Sequence, residues 1–387
     1  MNNMSNTPYP SPAPKQEQAQ CRKLRVIHLH STLGVYGAER WTLALLKHID
    51  QNKLELSVVS IGVKKGADSF YQQLVAEGFS AFHIALPGKL NPRAILKLRE
   101  IMRREKTDIL HTHGFKADVL GYIATRGIPV RLVSTIHGWS ADEGYLIRFY
   151  EAVSRAFLKR FDCIYPLSPA LLETLQQRGF DPVRLRLVLN SVDLSGQDFK
   201  FNPRTSTDPF SVLFVGRIYR PKGVFDLVQA FSLARFPVTA HLNIVGDGED
   251  REELETFIAA LGIGDKVTLV GTSPAVSAYL SDSHALVLPS YAEGIPRVVM
   301  EAFAAGTPVV GTDIPGIRQL IEDTVTGLLA PVADTARLAQ AMENVCNHPD
   351  QARLMAENAR LLVEKSFSAE RMAQDFETEY RRLCSRQ

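Results

Sequence analysis

The chain has 387 residues, of which 45% are hydrophobic and 22% are charged, and its formal net charge is +2. These values predict a soluble globular protein with two domains of ordinary size. The four cysteines are scattered with no C-x-x-C pair, and no apolar run is long enough to span a bilayer. This pattern argues against a disulfide framework, a zinc site and a membrane span, and it fits a reducing cytoplasm.

The charge is divided unevenly along the chain. Residues 22–194 carry a net charge of +9 and residues 195–387 a net charge of −7. We interpret this as two modules with different partners, the alternative being drift of surface charge between two domains. Residues 1–21 are rich in proline and glutamine and lack the apolar segment of a signal peptide, so we expect a disordered tail there.

The first half of the chain alternates short β-rich runs with helical patterns. Strands are expected at 24–29, 54–63, 79–86, 108–113, 132–137 and 164–167, and helices at 38–48, 69–77, 89–106 and 169–178. This alternation predicts a doubly wound α/β sheet, in which ligands bind at the carboxyl ends of the strands. Gly34 and Gly37 follow the first strand without the G-x-G start of the dinucleotide fingerprint, which disfavours a dehydrogenase.

Two histidines end predicted strands in this half. His113 and His137 each follow an apolar run and precede a glycine. A histidine at the carboxyl end of a parallel strand can meet a ligand, and a purely structural role is the alternative.

Two segments of the first half are basic and amphipathic. Residues 89–106 contain seven basic side chains against two glutamates, and residues 146–161 repeat the pattern. Both are candidates for contact with a membrane surface, although a helix packed on the sheet with a charged outer face explains the first equally well. Nucleic-acid binding is not indicated, because these stretches lack stacking aromatics in a recognisable module.

The second half restarts the alternation after a polar stretch at 196–209, the predicted linker. Strands are expected at 210–215, 241–245, 266–270 and 285–288, and later helices at 335–346, 350–364 and 369–383. The repeat predicts two similar α/β domains that face a cleft. Arg217 and Lys222 follow the first of these strands, where two cations can neutralise a leaving diphosphate. Two solvated surface cations are the alternative.

Residues 289–316, PSYAEGIPRVVMEAFAAGTPVVGTDIPG, carry the strongest pattern. They predict a loop and then a helix over 296–305, with Pro296 as its first residue. Free backbone N–H groups at this helix start suit a phosphate, and three are expected to point outward: those of Arg297, Val298 and Val299.

Two glutamates flank that helix start, eight residues apart. Helical side chains lean toward the N-terminus, so the Glu301 carboxylate could accept two hydrogen bonds from a sugar diol beyond the phosphate. Glu293 lies on the preceding loop and would face a second sugar. Two solvated surface glutamates are the alternative.

This Glu-x7-Glu pair with its glycine and proline frame resembles the signature of retaining, GT-B-type glycosyltransferases, in particular family 4 (group 1). The resemblance covers the chain from Arg25 to about Leu383. It implies an α/β fold with two Rossmann-like domains facing a cleft, one acceptor-side domain over 22–195 and one nucleotide-sugar-binding domain over 210–366. Residues 367–387 would form a helix that crosses back to the first domain.

The resemblance also implies roles for residues of this chain. It implies a catalytic set, His137, Arg217, Lys222 and Glu293. It implies a donor-binding set, Gly37, Gly216, Gly246, Asp247, Gly294, Ile295, Pro296, Arg297, Val298, Val299 and Glu301. It implies an acceptor side formed by Gly34, Tyr36 and His113. In this scheme Glu301 anchors the ribose, Glu293 positions the transferred sugar and His137 contacts that sugar.

The implied reaction moves a sugar from a nucleotide sugar, commonly a UDP-sugar, to an acceptor with retention of configuration. The implied acceptor is a glycan on a polyprenyl or other lipid carrier, in surface polysaccharide or lipopolysaccharide biosynthesis. The sequence contains no Asp-x-Asp pair, so we expect neither a metal nor another cofactor. We expect a cytoplasmic protein, with peripheral contact to the inner face of the cytoplasmic membrane through the two basic segments. A GT-B-like sugar-nucleotide 2-epimerase and a non-catalytic sugar-nucleotide-binding subunit are the alternatives.

Overall fold

The computed structural model describes residues 22–31, 37–62, 68–85, 92–137, 155–195, 199–202 and 209–385. Gly34, Tyr36, the predicted tail, most of the predicted linker and part of each basic segment lie outside these residues. Within them the chain forms two six-stranded parallel sheets.

The first sheet has the strand order β3-β2-β1-β4-β5-β6. Its strands are β1 (Leu24–His30), β2 (Leu54–Gly62), β3 (Ala81–Ala85), β4 (Ile109–His113), β5 (Arg131–Ile136) and β6 (Cys163–Pro166). The helices described around it are Gly37–His48, Ser69–Ala76, Pro92–Arg104, Phe115–Thr125 and Pro169–Gln177. Strands covered by helices on both faces are apolar along most of their length, which is why this sequence shows apolar runs rather than alternation. The strand order reverses between β1 and β4, where a doubly wound sheet opens a crevice for a ligand.

The second sheet repeats this plan, with the order β12-β11-β10-β7-β8-β9. Its strands are β7 (Phe210–Val215), β8 (Ala240–Val245), β9 (Val267–Gly271), β10 (Ala285–Leu288), β11 (Val309–Thr312) and β12 (Leu328–Ala330). The helices described around it are Val224–Leu233, Arg251–Ala260, Val276–Asp282, Arg297–Ala305, Thr335–Asn347 and Pro349–Ser366. The reversal lies between β7 and β10, so loops after these strands meet at one crevice.

The last helix, Ala369–Ser385, returns to the first domain as predicted. Its Phe376 and Tyr380 are buried in one apolar cluster with Trp41 and Val133 of the first domain. The Trp41 and Phe376 rings meet edge to face with their centroids 5.3 Å apart, a favourable geometry for an aromatic pair. The chain therefore ties its C-terminal end to the domain in which it begins.

The basic helix Pro92–Arg104 packs one face on the first sheet through Ala94, Leu98, Ile101 and Met102. Lys97 and Arg103 lie on its exposed face. Among the described residues, no helix is long and apolar enough to cross a bilayer.

Candidate active site between the two domains

A pocket of about 550 Å³ lies between the two domains; we call it the central pocket. His137, which follows β5, lines it from the first domain, and Lys222 and residues 292–297 line it from the second. This volume is within the range of small-molecule sites. The side-chain amide of Asn190 crosses the cleft and donates a hydrogen bond to the carbonyl oxygen of Ile295 at 3.1 Å. The loop that carries Glu293 is thereby attached to the first domain.

Lys222 and Glu293 form an ion pair in the central pocket. The Lys222 Nζ atom lies 2.7 Å from Glu293 Oε1, and the Ser290 hydroxyl donates to the same oxygen at 2.8 Å. The Glu293 side chain is only 12% exposed, so these two donors compensate much of the cost of burying its charge. One carboxylate oxygen is thus held in place, and the structure brings together two residues of the predicted catalytic set.

Pro296 caps the helix that follows, and the prediction that it is the first helical residue is wrong. Its ψ of 118° is extended, and the helix begins at Arg297. The prediction that Val299 offers a free N–H group is also wrong, because this group donates to the Pro296 carbonyl at 3.2 Å. The N–H groups of Arg297 and Val298 have no hydrogen-bond acceptor among the described residues. The helix start therefore offers two donors to an anion rather than three.

Arg297 and Glu301 form a second ion pair one helical turn apart. The Arg297 Nε atom lies 2.8 Å from Glu301 Oε1, so one oxygen of the carboxylate expected to bind a diol is already engaged. Within the described part of the chain, the buried Nη1 atom of Arg297 has no hydrogen-bond partner. A buried guanidinium nitrogen without an acceptor is costly, and Arg297 lines the central pocket, where its guanidinium can turn toward a bound anion.

A second pocket of about 570 Å³, the side pocket, lies beyond this pair. It is lined by Arg297 and Glu301 together with Arg40 of the first domain and Lys200. Arg297 therefore lines both pockets, so one ligand could occupy both pockets with Arg297 at its middle.

Arg217 does not reach the central pocket in this structure. Its Nε atom lies 2.8 Å from Glu249 Oε2, and its guanidinium stacks over the Tyr219 ring at 5.2 Å. The pair is exposed, and neither pocket includes Arg217 among its lining residues. Its catalytic role stays a prediction.

The glycine turn beside Arg217 has a structural reason. A β-carbon on Gly246 would lie 1.8 Å from the carbonyl oxygen of Gly216, so the two turns can approach only without a side chain. The Asp247 carboxylate accepts the N–H of Gly248 at 2.9 Å and lies 3.9 Å from Arg251. These contacts stabilise the turn, and the predicted donor contacts of Gly216, Gly246 and Asp247 stay predictions.

Two other glycines of the predicted donor set, unlike Gly246, have free space where a side chain would lie. A β-carbon on Gly37 or Gly294 would meet no atom within 4 Å, and neither residue has a positive φ. In contrast, a β-carbon on Gly316 would lie 2.0 Å from the carbonyl oxygen of Gly294 and 2.2 Å from that of Glu293. The fold needs a glycine at 316 to seat the loop, whereas at 37 and 294 it leaves free space.

Five histidine rings form a cluster beside the central pocket, at the carboxyl ends of β1, β4 and β5: His28, His30, His111, His113 and His137. The register of β1 and β4 pairs His28 with His111 and His30 with His113. His113 Nδ1 lies 3.1 Å from His137 Nε2, and His113 Nε2 lies 3.0 Å from His28 Nδ1. The predicted acceptor-side residue His113 therefore lies inside this cluster, next to His137.

Comparison with known proteins decides the family. Residues 35–195 match the family model described as Glycosyltransferase Family 4, and residues 196–362 match the model described as Glycosyl transferases group 1. An uncharacterized glycosyltransferase of Haemophilus influenzae is 31% identical over 338 residues, which are 85% of this chain and 92% of that protein. The chain belongs to the group 1, family 4 glycosyltransferases.

Two further proteins are less similar to this glycosyltransferase in sequence. The UDP-Gal:alpha-D-GlcNAc-diphosphoundecaprenol alpha-1,3-galactosyltransferase of Escherichia coli is 24% identical over 303 residues, covering 71% of this chain and 76% of that protein. The crystal structure of Anabaena HepE with UDP and glucose superposes with a TM-score of 0.79 at 20% identity, covering 92% of this chain and 99% of that one. This similarity confirms the predicted GT-B fold, with two α/β domains.

Three residues of the histidine cluster in this glycosyltransferase, His28, His30 and His111, were not among the predicted site residues. The signal is a histidine at every second position, HLH at the end of β1 and HTH at the end of β4. Residues two apart in a strand share a face, and adjacent parallel strands bring such pairs together. Burial lowers the pKa of His28 and of His137 to about 3, and it also lowers the pKa of His30, His111 and His113. All five rings are therefore neutral at neutral pH.

Proposed function

We propose that this glycosyltransferase uses a nucleotide sugar, and that the donor is a UDP-sugar bound across the central and side pockets. The observation that carries the proposal is the buried, unpartnered Nη1 of Arg297 beside the two unpaired N–H groups at the helix start. A cation together with free N–H donors at one helix start suits a diphosphate. The UDP bound by Anabaena HepE supports this choice of nucleotide.

The two pockets divide the donor between them. The ribose and base would occupy the side pocket, where Glu301 keeps one oxygen free for a ribose hydroxyl and Arg40 and Lys200 add positive charge. The sugar to be transferred would occupy the central pocket, between His137 and Glu293. The free space at Gly294 would let the donor approach the backbone closely.

Catalysis in this scheme consists of alignment and stabilisation of the leaving group. Lys222 would neutralise the negative charge that develops on the nucleoside diphosphate, together with the helix start. Glu293 would accept hydrogen bonds from sugar hydroxyls through its second oxygen. We propose that transfer proceeds with retention and without a metal or another cofactor, since cationic side chains replace the metal at the diphosphate.

The acceptor we propose is a glycan on a lipid carrier, in the synthesis of surface polysaccharide or lipopolysaccharide. The diphosphoundecaprenol-linked substrate named for the Escherichia coli relative supports it. The first domain carries a net charge of +9 over residues 22–194, and the exposed basic face of the helix Pro92–Arg104 lies in it. We propose that the protein is cytoplasmic and that this basic face attaches it to an anionic membrane surface.

A thermal-shift panel with UDP-, GDP- and ADP-sugars tests the donor. The true donor at 100 times its Kd should stabilise the folded protein by about 2.7 kcal/mol, and the other nucleotides should not. Arg297→Met should abolish the shift, whereas Arg217→Met, outside both pockets, should retain most of it. If no nucleotide sugar raises the melting temperature, the proposed function is wrong. Retention is tested by the anomeric configuration of the product in NMR, and metal independence by activity in excess EDTA.

Co-sedimentation with phosphatidylglycerol vesicles tests the membrane contact. The wild type should bind at low salt and dissociate at high salt, because exposed charges are screened. The double variant Lys97→Glu, Arg103→Glu should lose binding, and the control Lys266→Glu on the second domain should not. Equal binding by both variants would rule out this helix as the membrane contact.

A further inference from the structure

A chain of hydrogen-bonded rings links the C-terminal helix to the central pocket. It starts at Tyr380, whose hydroxyl oxygen lies 3.4 Å from His28 Nε2. It continues from His28 Nδ1 to His113 Nε2 at 3.0 Å and from His113 Nδ1 to His137 Nε2 at 3.1 Å. We call these four residues the histidine chain. His137 lines the central pocket, and the other three are buried.

A metal ion is the first alternative for this cluster, because His28, His111 and His113 bring three ring nitrogens within 4.8 Å of one another. Each nitrogen of these three rings already has a polar partner. His111 pairs with Tyr380 at 2.6 Å and with Thr135 at 2.7 Å, and the remaining nitrogens pair within the histidine chain. A ligand nitrogen must direct a free lone pair at the metal, so these hydrogen bonds compete with coordination.

The protons of the histidine chain are coupled. A neutral imidazole has one N–H donor and one bare nitrogen acceptor, so a ring that accepts at one nitrogen must donate at the other. Burial keeps these rings neutral by lowering the pKa of each. Fixing one proton at the Tyr380 end therefore fixes the tautomer of every ring as far as His137.

The geometry at Tyr380 decides the direction. Its single hydroxyl proton has two possible acceptors, His111 Nδ1 at 2.6 Å and His28 Nε2 at 3.4 Å. Hydrogen bonds from a hydroxyl are the shorter kind, so we infer that the proton points to His111 Nδ1. The other nitrogen of His111, Nε2, must then donate to the Thr135 hydroxyl oxygen, which lies 2.7 Å away. His28 then donates from Nε2 to Tyr380, His113 donates from Nε2 to His28, and His137 donates from Nε2 to His113. His137 is left with an unprotonated Nδ1.

We propose that Tyr380 is a positioning residue that fixes the tautomer of His137, so that His137 presents a bare Nδ1 as acceptor for a hydroxyl of the donor sugar. The identity of the ligand rests on the proposed function, whereas the tautomer of His137 follows from the hydrogen bonds of the histidine chain alone. The described part of the chain provides no hydrogen-bond partner for Nδ1 of His137, which leaves this atom to the pocket. A sugar hydroxyl can supply the missing proton donor.

The test compares Tyr380→Phe with Tyr165→Phe in the full chain. Tyr165 is buried in the same apolar cluster, but its hydroxyl forms no hydrogen bond to a histidine among the described residues, so it is a matched control. Nitrogen-15 NMR of histidine-labelled protein, assigned with His137→Gln, reports which nitrogen of His137 carries the proton. The wild type and the control should show the Nε2–H form. In Tyr380→Phe the His28 N–H loses its acceptor, and the Nδ1–H form of His137 should become populated.

Binding provides the second measurement. Tyr380→Phe should weaken binding of UDP-glucose about tenfold and leave the Kd of UDP within twofold, because UDP lacks the glucose that His137 would contact; a general loss of packing would weaken both. An Nδ1–H form in the wild type overturns the proposal, even if Tyr380→Phe fails to fold. Identical His137 tautomers in both tyrosine variants also overturn it. If no nucleotide sugar binds but the tautomer shifts as expected, the proposed function fails and the hydrogen-bonded chain stands.

Discussion

Gly316 packs against the backbone of Gly294, yet the structure predicts different effects on stability when each glycine is replaced by alanine. A β-carbon on Gly316 would lie 2.0 Å from the Gly294 carbonyl oxygen, well inside van der Waals contact. Forcing a methyl group into packed structure costs about 1–3 kcal/mol, and this overlap with backbone belongs at the upper end. For domains of this size, about 1 kcal/mol lowers Tm by about 2–4 °C. Gly316→Ala should therefore lower Tm by roughly 6–12 °C.

Gly294→Ala should leave the fold intact. The new methyl group would meet no atom within 4 Å and needs no positive φ, so the change should be neutral or stabilise by up to about 1 kcal/mol. If the donor approaches the backbone at this glycine, the methyl group should still lower kcat/KM for the nucleotide sugar at least about tenfold, a cost of about 1.4 kcal/mol.

Thermal unfolding followed by circular dichroism, with a coupled assay of UDP release, measures both effects. Gly264→Ala is the control, because Gly264 is also exposed, has the same free space and lies outside both pockets. The reasoning is refuted if Gly316→Ala melts with the wild type, or if Gly294→Ala is as active as Gly264→Ala.

Three further outcomes follow from the site and its histidines. Lys222→Met should lower kcat about 100-fold, as measured by UDP release, and should also lower Tm because it leaves the largely buried Glu293 carboxylate without its cation; Arg217→Met should lower kcat less. Activity should persist after dialysis against EDTA; a loss restored by Mg²⁺ would contradict the metal-free scheme. Because the folded state lowers the pKa of His28 and His137 to about 3, the unfolded chain binds more protons below pH 6.5. The free energy of unfolding should therefore be greatest above that pH and fall toward pH 3, by about 1.4 kcal/mol per histidine at pH 5.5, with unfolding at a lower urea concentration. An equal midpoint at pH 7.5 and 5.5 would contradict it.

Much of the architecture could be predicted because buried parallel strands are apolar along most of their length. β7 and β10 have the bounds expected from their apolar runs. The helix Phe115–Thr125 was not predicted, since Gly121 interrupts its pattern. A β-carbon on Gly121 would lie 2.7 Å from the Thr112 methyl group, so this glycine permits close packing of helix on sheet rather than a turn.

The sequence predicted where the site residues lie better than it predicted which residues they contact. The spacing of Glu293 and Glu301 places both near the helix start, but it does not show that Arg297 engages Glu301. The direction of Arg217 depends on Glu249, 32 residues later on another loop. Such pairs depend on how separate loops approach one another, and no local pattern of residues encodes that approach.

The two signature glutamates share one property that explains how the site can remain stable without a ligand and still accept an anion. Glu293 is paired with Lys222 and Glu301 with Arg297, so the buried charges cancel. A diphosphate brings negative charge to the same two cations, and we expect it to draw them from the carboxylates. The carboxylate oxygens released in this exchange can accept sugar hydroxyls, which couples binding of the diphosphate to binding of the sugar. A UDP-bound crystal structure in which Lys222 still contacts only Glu293, at 2.7 Å, would contradict this exchange.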